Sequence, residues 1–261
     1  MNPTEIPVSL RDSMERFSDR VDDYVRFRPG YPPALVDLLT KACGLGPDAV
    51  VADVGSGTGI LTALLLDSGA RVIGVEPNLA MRSVAERAFA GNERFTSIDG
   101  SAEATTRVAG SVHLITAAQA FHWFDPPRTR TEFARILRPS GVVVLVWNQR
   151  KDSAFNRDYE EMLERYTSEY AHVRESDRAA EPRIRAFFAP GSPAVARFDN
   201  EQRFDEAGLR GRLASSSYAP RPGDPYHEPI MRRLGEIFAV HAHEGHVTFA
   251  YETVVWYGRL A

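Results

Sequence analysis

Ala49-Val50-Val51-Ala52-Asp53-Val54-Gly55-Ser56-Gly57-Thr58-Gly59-Ile60 carries the strongest architectural signal in the chain. A short apolar run ends in three alternating glycines, and Ile60 to Asp67 then continues with helical spacing. Glycine lets a chain turn sharply from strand to helix, and it lets a ligand approach main-chain atoms. Outward from this unit, strands and helices read as strictly alternating through residue 149. Arg71 to Val75 is a second strand, with Glu76 and Pro77 at its end, and Leu79 to Phe89 a second helix. Phe95 to Ile98 starts a third unit, and Val112 to Ala117 is a fourth strand followed by a helical stretch at Arg128 to Leu137. Pro139-Ser140-Gly141 reads as a turn, and Gly141 to Trp147 as a fifth strand, apolar on both faces. Continuous apolar strands between amphipathic helices imply a mostly parallel sheet covered on both sides, a doubly wound α/β fold.

The flanks differ. Residues 1–48 are charged and aromatic with a helix at Pro33 to Ala42, the pattern of an N-terminal helical cap on a core at 49–149. Within 150–261, Tyr159 to Tyr170 reads as an amphipathic helix and 172–194 is rich in charge, proline and glycine. Val195 to Phe204 alternates as a strand, Asp205 to Ser215 and Ile230 to His241 read as helices, and Val247 to Tyr257 is a last strand. A late strand pair predicts antiparallel strands at one sheet edge. The insertions between them are where acceptor selection is expected, within the same domain.

Three ligands compete for the glycine turn. A triphosphate loop needs Gly-Lys-Ser/Thr at the helix start, and Gly59 is followed by Ile60-Leu61. A dinucleotide turn wants its third glycine three residues after the second, where Ile60 stands. A nucleoside without a pyrophosphate remains. Glu76, ending the second strand, is placed to accept hydrogen bonds from both ribose hydroxyls.

Four ordered motifs then carry a resemblance. They are Asp53-x-Gly55-x-Gly57-x-Gly59; Glu76-Pro77-Asn78-x-x-Met81; Gly100-Ser101-Ala102-Glu103-Ala104-Thr105; and Ala117-Ala118-Gln119-Ala120-Phe121-His122-Trp123-Phe124. Together they resemble the class I S-adenosylmethionine-dependent methyltransferases, closest to the methyltransferase type 11 and trans-aconitate methyltransferase-like group. Phe17-Ser18-x5-Tyr24-x3-Arg28-Pro29-x-Tyr31-Pro32 is similar to that group's N-terminal motif. The resemblance covers 17–149 well and the rest loosely. It implies a Rossmann-like, seven-stranded, mostly parallel sheet and S-adenosylmethionine as cofactor.

The resemblance also implies site roles. Asp53 and the backbone of Gly55, Gly57 and Gly59 hold the donor's methionine ammonium and carboxylate, and Glu76, beside Pro77, takes the ribose. Met81 packs on adenine, suited by its polarizable thioether. Ala102 offers its amide to the adenine ring, with Ser101 or Glu103 near the exocyclic amine, and Gln119 and Ala120 meet the methionine part. Ser101 stands where family members often carry Asp, and His113 departs in the same sense.

Methyl transfer from a sulfonium is an in-line displacement that needs alignment and the exclusion of water. Aromatic faces suit a cationic donor, which makes Tyr24, Tyr31, His122 and Trp123 the catalytic candidates. Arg28 is a partner for the donor's carboxylate or for an acidic substrate. His122 serves as a base if the acceptor is a hydroxyl or amine, and only shapes the pocket if it is a carboxylate. His241, His243 and His246 have metal-like spacing, but no cysteine or carboxylate pair completes a site, so no metal is expected.

The bulk composition narrows the partners. The chain has 261 residues, 43% hydrophobic and 25% charged, with a formal net charge of −4. That balance gives no electrostatic footprint for nucleic acid. One cysteine, Cys43, fits a reducing compartment. With neither a secretory signal nor a membrane-length apolar run, a cytoplasmic enzyme acting on a small molecule is expected. Two alternatives share the same features: a nicotinamide-dependent oxidoreductase and a non-catalytic S-adenosylmethionine-binding module. Oligomeric state leaves no sequence signal.

Overall fold

The computed structural model describes residues 25–167 and 169–260. Helix α1 (Pro33–Cys43) leads into β1 (Val50–Val54), α2 (Ile60–Asp67), β2 (Arg71–Val75), α3 (Leu79–Ala88) and β3 (Phe95–Ile98). Strand β4 (Val112–Ala118), α4 (Pro126–Ile136) and β5 (Leu137–Arg150) follow. The rest is α5 (Ala154–Tyr166), α6 (Tyr170–Phe188), β6 (Ala194–Phe204), α7 (Glu206–Ala214), α8 (His227–His241) and β7 (Val247–Gly258).

The seven strands form one sheet in the order β3-β2-β1-β4-β5-β7-β6. β1 pairs parallel with β2 and β4, and β4 pairs parallel with β5. β7 is antiparallel to both β5 and β6, so the edge pair runs as the alternation of 195–204 and 247–257 predicts. Chain order reverses between β1 and β4. Ligands of open α/β sheets bind beyond the strand carboxyl ends at such a reversal, and this is where the glycine turn lies.

The doubly apolar strands earn their character by serving two cores. Val54, Val75, Ile115, Val143, Leu145 and Trp147 pack on one face with Phe121, Phe133 and Phe188. Val51, Val72, Leu114, Val144 and Val146 pack on the other with Leu35, Leu39, Leu61 and Leu65. A third core, built on Tyr159, Leu213, Leu234 and Phe249, joins α5, α7 and α8 to β7. Local signals set several helix starts. Asn78, Asp125, Ser153 and Asp205 each cap the following helix by accepting from an amide in its first turn.

Three features depart from the sequence reading. No helix separates β3 from β4; residues 99–111 form turns, with Ser101 and Ala104 bridged backbone to backbone. Pro139-Ser140-Gly141 lies inside β5 rather than ending an element. The ladder steps from Val112↔Leu137 to Leu114↔Val142, so the extra residues are taken up as an irregularity within one strand. The charged stretch after 172 is helical, and α6 contains Pro182. Ala180, Ile184, Phe187 and Phe188, spaced as one helical stripe, are buried against the first core. That burial outweighs the roughly 3 kcal/mol a mid-helix proline costs. Among the described residues no helix is long and apolar enough to cross a membrane.

Candidate active site

The glycine turn after β1 takes its shape from left-handed backbone. Gly55, Gly57 and Gly59 have φ of +70°, +57° and +90°. The Gly55 amide donates to Val75 O at 2.8 Å, which draws the turn over the end of β2. Two of the glycines are there for close packing. A Cβ on Gly55 would stand 2.6 Å from Ala120 Cβ, and one on Gly59 would stand 2.5 Å from the Phe89 ring. Gly57 meets nothing within 4 Å. The side of its Cα where a side chain would stand therefore faces open space, the cradle that a close ligand approach to backbone requires.

Glu76 lies directly under that cradle. It is 8% exposed, its Oε2 accepting from the Gly57 amide at 2.9 Å and its Oε1 from the Asn78 amide at 2.9 Å. Each carboxylate oxygen keeps a second acceptor direction, enough for a vicinal diol. Burial pushes its pKa up, against the Asn78 and Gly57 amides and the Arg82 guanidinium. Met81 is buried in the first turn of α3, its amide on Asn78 Oδ1 at 3.1 Å, and Pro77 is half-buried beside it.

Asp53 is turned inward. It is 1% exposed, and its two oxygens accept from Thr62 Oγ1 at 2.7 Å and Thr116 Oγ1 at 2.8 Å. Burial raises its pKa to about 6 in spite of both hydroxyls. The carboxylate thus ties β1 to α2 and β4 beneath the turn, instead of standing out as a direct ligand for an ammonium group. Thr62 and Thr116 had no sequence signal; each is an ordinary threonine until the fold sets it opposite Asp53.

Gln119 follows β4 with φ +52°, uncommon for a residue other than glycine. Its amide donates to Val146 O at 3.0 Å and its Oε1 accepts from the Asn148 amide at 3.1 Å, so β5 holds the strained turn. Ala120 is buried. Ser101, Ala102 and Glu103 lie in the tight turn closed by the Ser101–Ala104 bridge. Glu103 is directed elsewhere than a purine amine: its Oε1 accepts from the Asp125 amide at 2.9 Å, at the positive N-terminus of α4.

His122 and Trp123 sit on a single 3₁₀ turn, Phe121–Trp123. The His122 ring centroid is 4.7 Å from that of Trp123 and 5.4 Å from that of Trp147. Its Nδ1 is inaccessible and has no hydrogen-bond partner. Burial, with Arg183 nearby, lowers its pKa to about 4, so the ring is neutral at pH 7 and a weak base. Tyr31 packs against the second core. Arg28 reaches the C-terminal half, donating to Ser215 O at 3.0 Å. Tyr24 lies outside the described residues.

The remaining candidates resolve locally. His241 Nε2 pairs with Asp158 Oδ2 at 2.7 Å, and His243 and His246 bridge through their backbones. Cys43 is half-buried and its thiol is pushed up to about 11. His113 Nδ1 accepts from the Val50 amide at 2.9 Å, a local tie at the start of the sheet.

Residues 52–145 match the methyltransferase domain family. An uncharacterized methyltransferase of Mycobacterium tuberculosis is 39% identical over 144 residues, covering 55% of this chain and 56% of that one. A second, from Schizosaccharomyces pombe, is 30% identical over 141 residues, covering 52% and 54%. The chain thus aligns with about half the length of these curated relatives. Among solved structures, a protein named provisionally as a type II methyltransferase from Anaeromyxobacter dehalogenans superposes with a TM-score of 0.63 at 25% identity. That match covers 90% of this chain and 98% of the other.

Proposed function

We propose that this chain, whose central stretch is a methyltransferase domain, is an S-adenosylmethionine-dependent methyltransferase acting on a small-molecule acceptor. One observation carries the reading: the open, left-handed Gly57 cradle sits on a buried Glu76 carboxylate at the sheet's reversal point. Residues 49–149 form the donor side, and residues 25–48 and 150–260 the acceptor side. When bound, the cofactor supplies a methyl group activated on a sulfonium. Glu76 accepts from the ribose hydroxyls with the lone pairs its backbone partners leave. Met81 packs on the adenine, and Ser101 and Ala102 border it. Gly55, Gly57 and Gly59 present backbone to the methionine part, with Gln119 and Ala120 opposite and Asp53 bracing the turn from below.

The chain's task at the reacting atoms is alignment and exclusion of water. His122 and Trp123 supply an apolar, aromatic wall against Trp147. His122 acts as an uncharged wall and not as the base, because a conjugate acid near 4 holds a proton poorly at neutral pH. An acceptor ionised before binding suits that wall.

The nicotinamide reading loses support in the sheet. Dinucleotide folds run parallel through the strand beside β5, where this chain has the antiparallel β7. Calorimetry with S-adenosylmethionine and its demethylated product tests the donor half; no heat from either at high micromolar concentration sinks it. A screen of small acids, phenols and amines with methyl-labelled donor then separates a transferase from a binding module. Label reaching no acceptor class overturns the catalytic reading.

A further inference from the structure

The C-terminal half buries positive charge. Arg150 ends β5 with its side chain 14% exposed, and Arg212 on α7 is 3% exposed. A guanidinium cannot shed its proton, so burial leaves it charged. Among the described residues the one carboxylate within 4 Å of either is Glu160, 3.5 Å from Arg150. Arg212 has none; it donates to Ser216 Oγ at 3.1 Å, and its Nε is buried without a partner. Arg150 donates to the hydroxyls of Tyr170 at 2.8 Å and Tyr218 at 3.4 Å. Both guanidiniums stand 5.8 Å from the Phe249 ring.

This aromatic shell does not balance the charge. Cation–π contacts stabilise a desolvated cation by about 2 kcal/mol, while desolvating each ion costs several. Tyr218 registers the surplus. Burial alone would raise its phenol, yet Arg150, Arg212 and Arg28 hold it down to about 8. The surplus is also well placed. Arg150 lies two residues past Asn148, whose amide is tied to Gln119. Two residues of strand are about 7 Å, on the same sheet face. Arg28 enters from the segment whose Gly30 carbonyl accepts from the Asn148 side chain.

We propose that Arg150 and Arg212, with Arg28 and Tyr218 beside them, form an oxyanion-binding subsite filled by a carboxylate or phosphate group of the methyl acceptor. The planar guanidinium fork matches either group in a way a single ammonium does not. Assigning the anion to the acceptor rests on the transferase reading; the anion site itself does not.

The test uses the full chain at constant ionic strength, with thermal unfolding in sodium phosphate, sodium benzoate and sodium chloride. Phosphate or benzoate raises the Tm above chloride, and whichever does so names the group. The same anion moves the tyrosine absorbance titration near 295 nm to higher pH as Tyr218 loses its net positive surroundings. Arg150→Gln and Arg212→Met weaken the anion by about tenfold or more, with affinity for the demethylated donor unchanged. Neither anion exceeding chloride, or both variants binding it as the wild type does, overturns the subsite. Should the variants fail to fold, the wild-type absorbance shift decides, and its absence overturns the proposal. Anion binding without donor binding leaves the subsite standing and removes the transferase reading.

Discussion

The two ends of the site bury charges of opposite sign and satisfy them in opposite ways. On the donor side Asp53 and Glu76 are buried acids, each oxygen engaged by a hydroxyl or a backbone amide of its own domain. On the side proposed for the acceptor, Arg150 and Arg212 are buried bases among phenol and phenyl rings, with one carboxylate at the margin. Buried ions need partners. The acids have theirs in place and hold the turn; in the proposed subsite the arginines take part of theirs from a ligand. One side is tied by hydrogen bonds within the fold, and the other, in the proposed subsite, draws on the ligand.

The largest effect is expected from loosening the hydrogen-bonded turn on the donor side. Gly55→Ala puts a Cβ 2.6 Å from Ala120 Cβ at a φ of +70°. Overpacking together with left-handed strain should destabilise by about 3 to 4 kcal/mol. Gly57→Ala, where nothing stands within 4 Å, should cost only about 1 kcal/mol of stability. It should still abolish donor binding, because the methyl fills the cradle. Chemical denaturation and calorimetry on both variants check the contrast. Equal stability losses would mean that the Gly55–Ala120 approach does not govern the turn.

Next is the acid beneath the turn. Asp53 titrates near 4 in the unfolded chain and at about 6 when folded. Between those values the folded protein holds a proton that the unfolded chain has released. Stability from this group is therefore fullest below pH 4, falls as pH rises to 6, and stays lower above it. The difference is about 3 kcal/mol. Asp53→Asn should flatten that part of the stability–pH curve and raise stability at pH 8. Glu76, also raised by burial, keeps a slope of the same sign. A variant that follows the wild-type slope would show that Asp53 is not the titrating group.

The arginines sharpen the contrast with a smaller effect of related sign. Arg212→Met replaces a buried, unpaired cation with an apolar chain of similar volume. Such exchanges are often neutral or stabilising, and a gain of about 1 to 2 kcal/mol is expected in chloride buffer. A loss of stability would mean that the stacking of Arg212 on Phe249 satisfies the ion within the fold, which erases the difference between the two sides.

How much of this was legible depends on how local each signal is. The turn, Glu76 and Met81 lie within a few residues of strand ends and announce themselves by glycine spacing and caps. The sheet follows from runs such as Gly141 to Trp147. Arg150 and Arg212 were invisible because nothing adjacent marks them. Arg150 reads as a solvated strand end, and Arg212 as the polar face of a short helix. Yet Arg212 shares a face with Leu209 and Leu213, all three buried, a pattern that separates a buried arginine from a surface one. The α6 stripe of Ala180, Ile184, Phe187 and Phe188 was masked in the same way, by the charges and the proline interleaved with it.

The smallest expected effect separates the two sides at their meeting point. In the proposed site His122 borders both donor and acceptor; its Nδ1 is buried and unpartnered, and its ring packs beside those of Trp123 and Trp147. A base there would impose a pH–rate limb near its own pKa of about 4, and its loss would lower kcat by about a hundredfold or more. A wall imposes neither. His122→Phe keeps the aromatic surface and removes the ring nitrogens, so kcat should fall less than about threefold, a change of well under 1 kcal/mol. Its pH profile, followed from 4 to 9, should superpose on that of the wild type. Rate profiles with whichever acceptor the labelled-donor screen identifies provide the measurement. A large kcat loss at unchanged KM, or a shifted profile, would return His122 to proton transfer, and the acceptor would then be a group that arrives protonated.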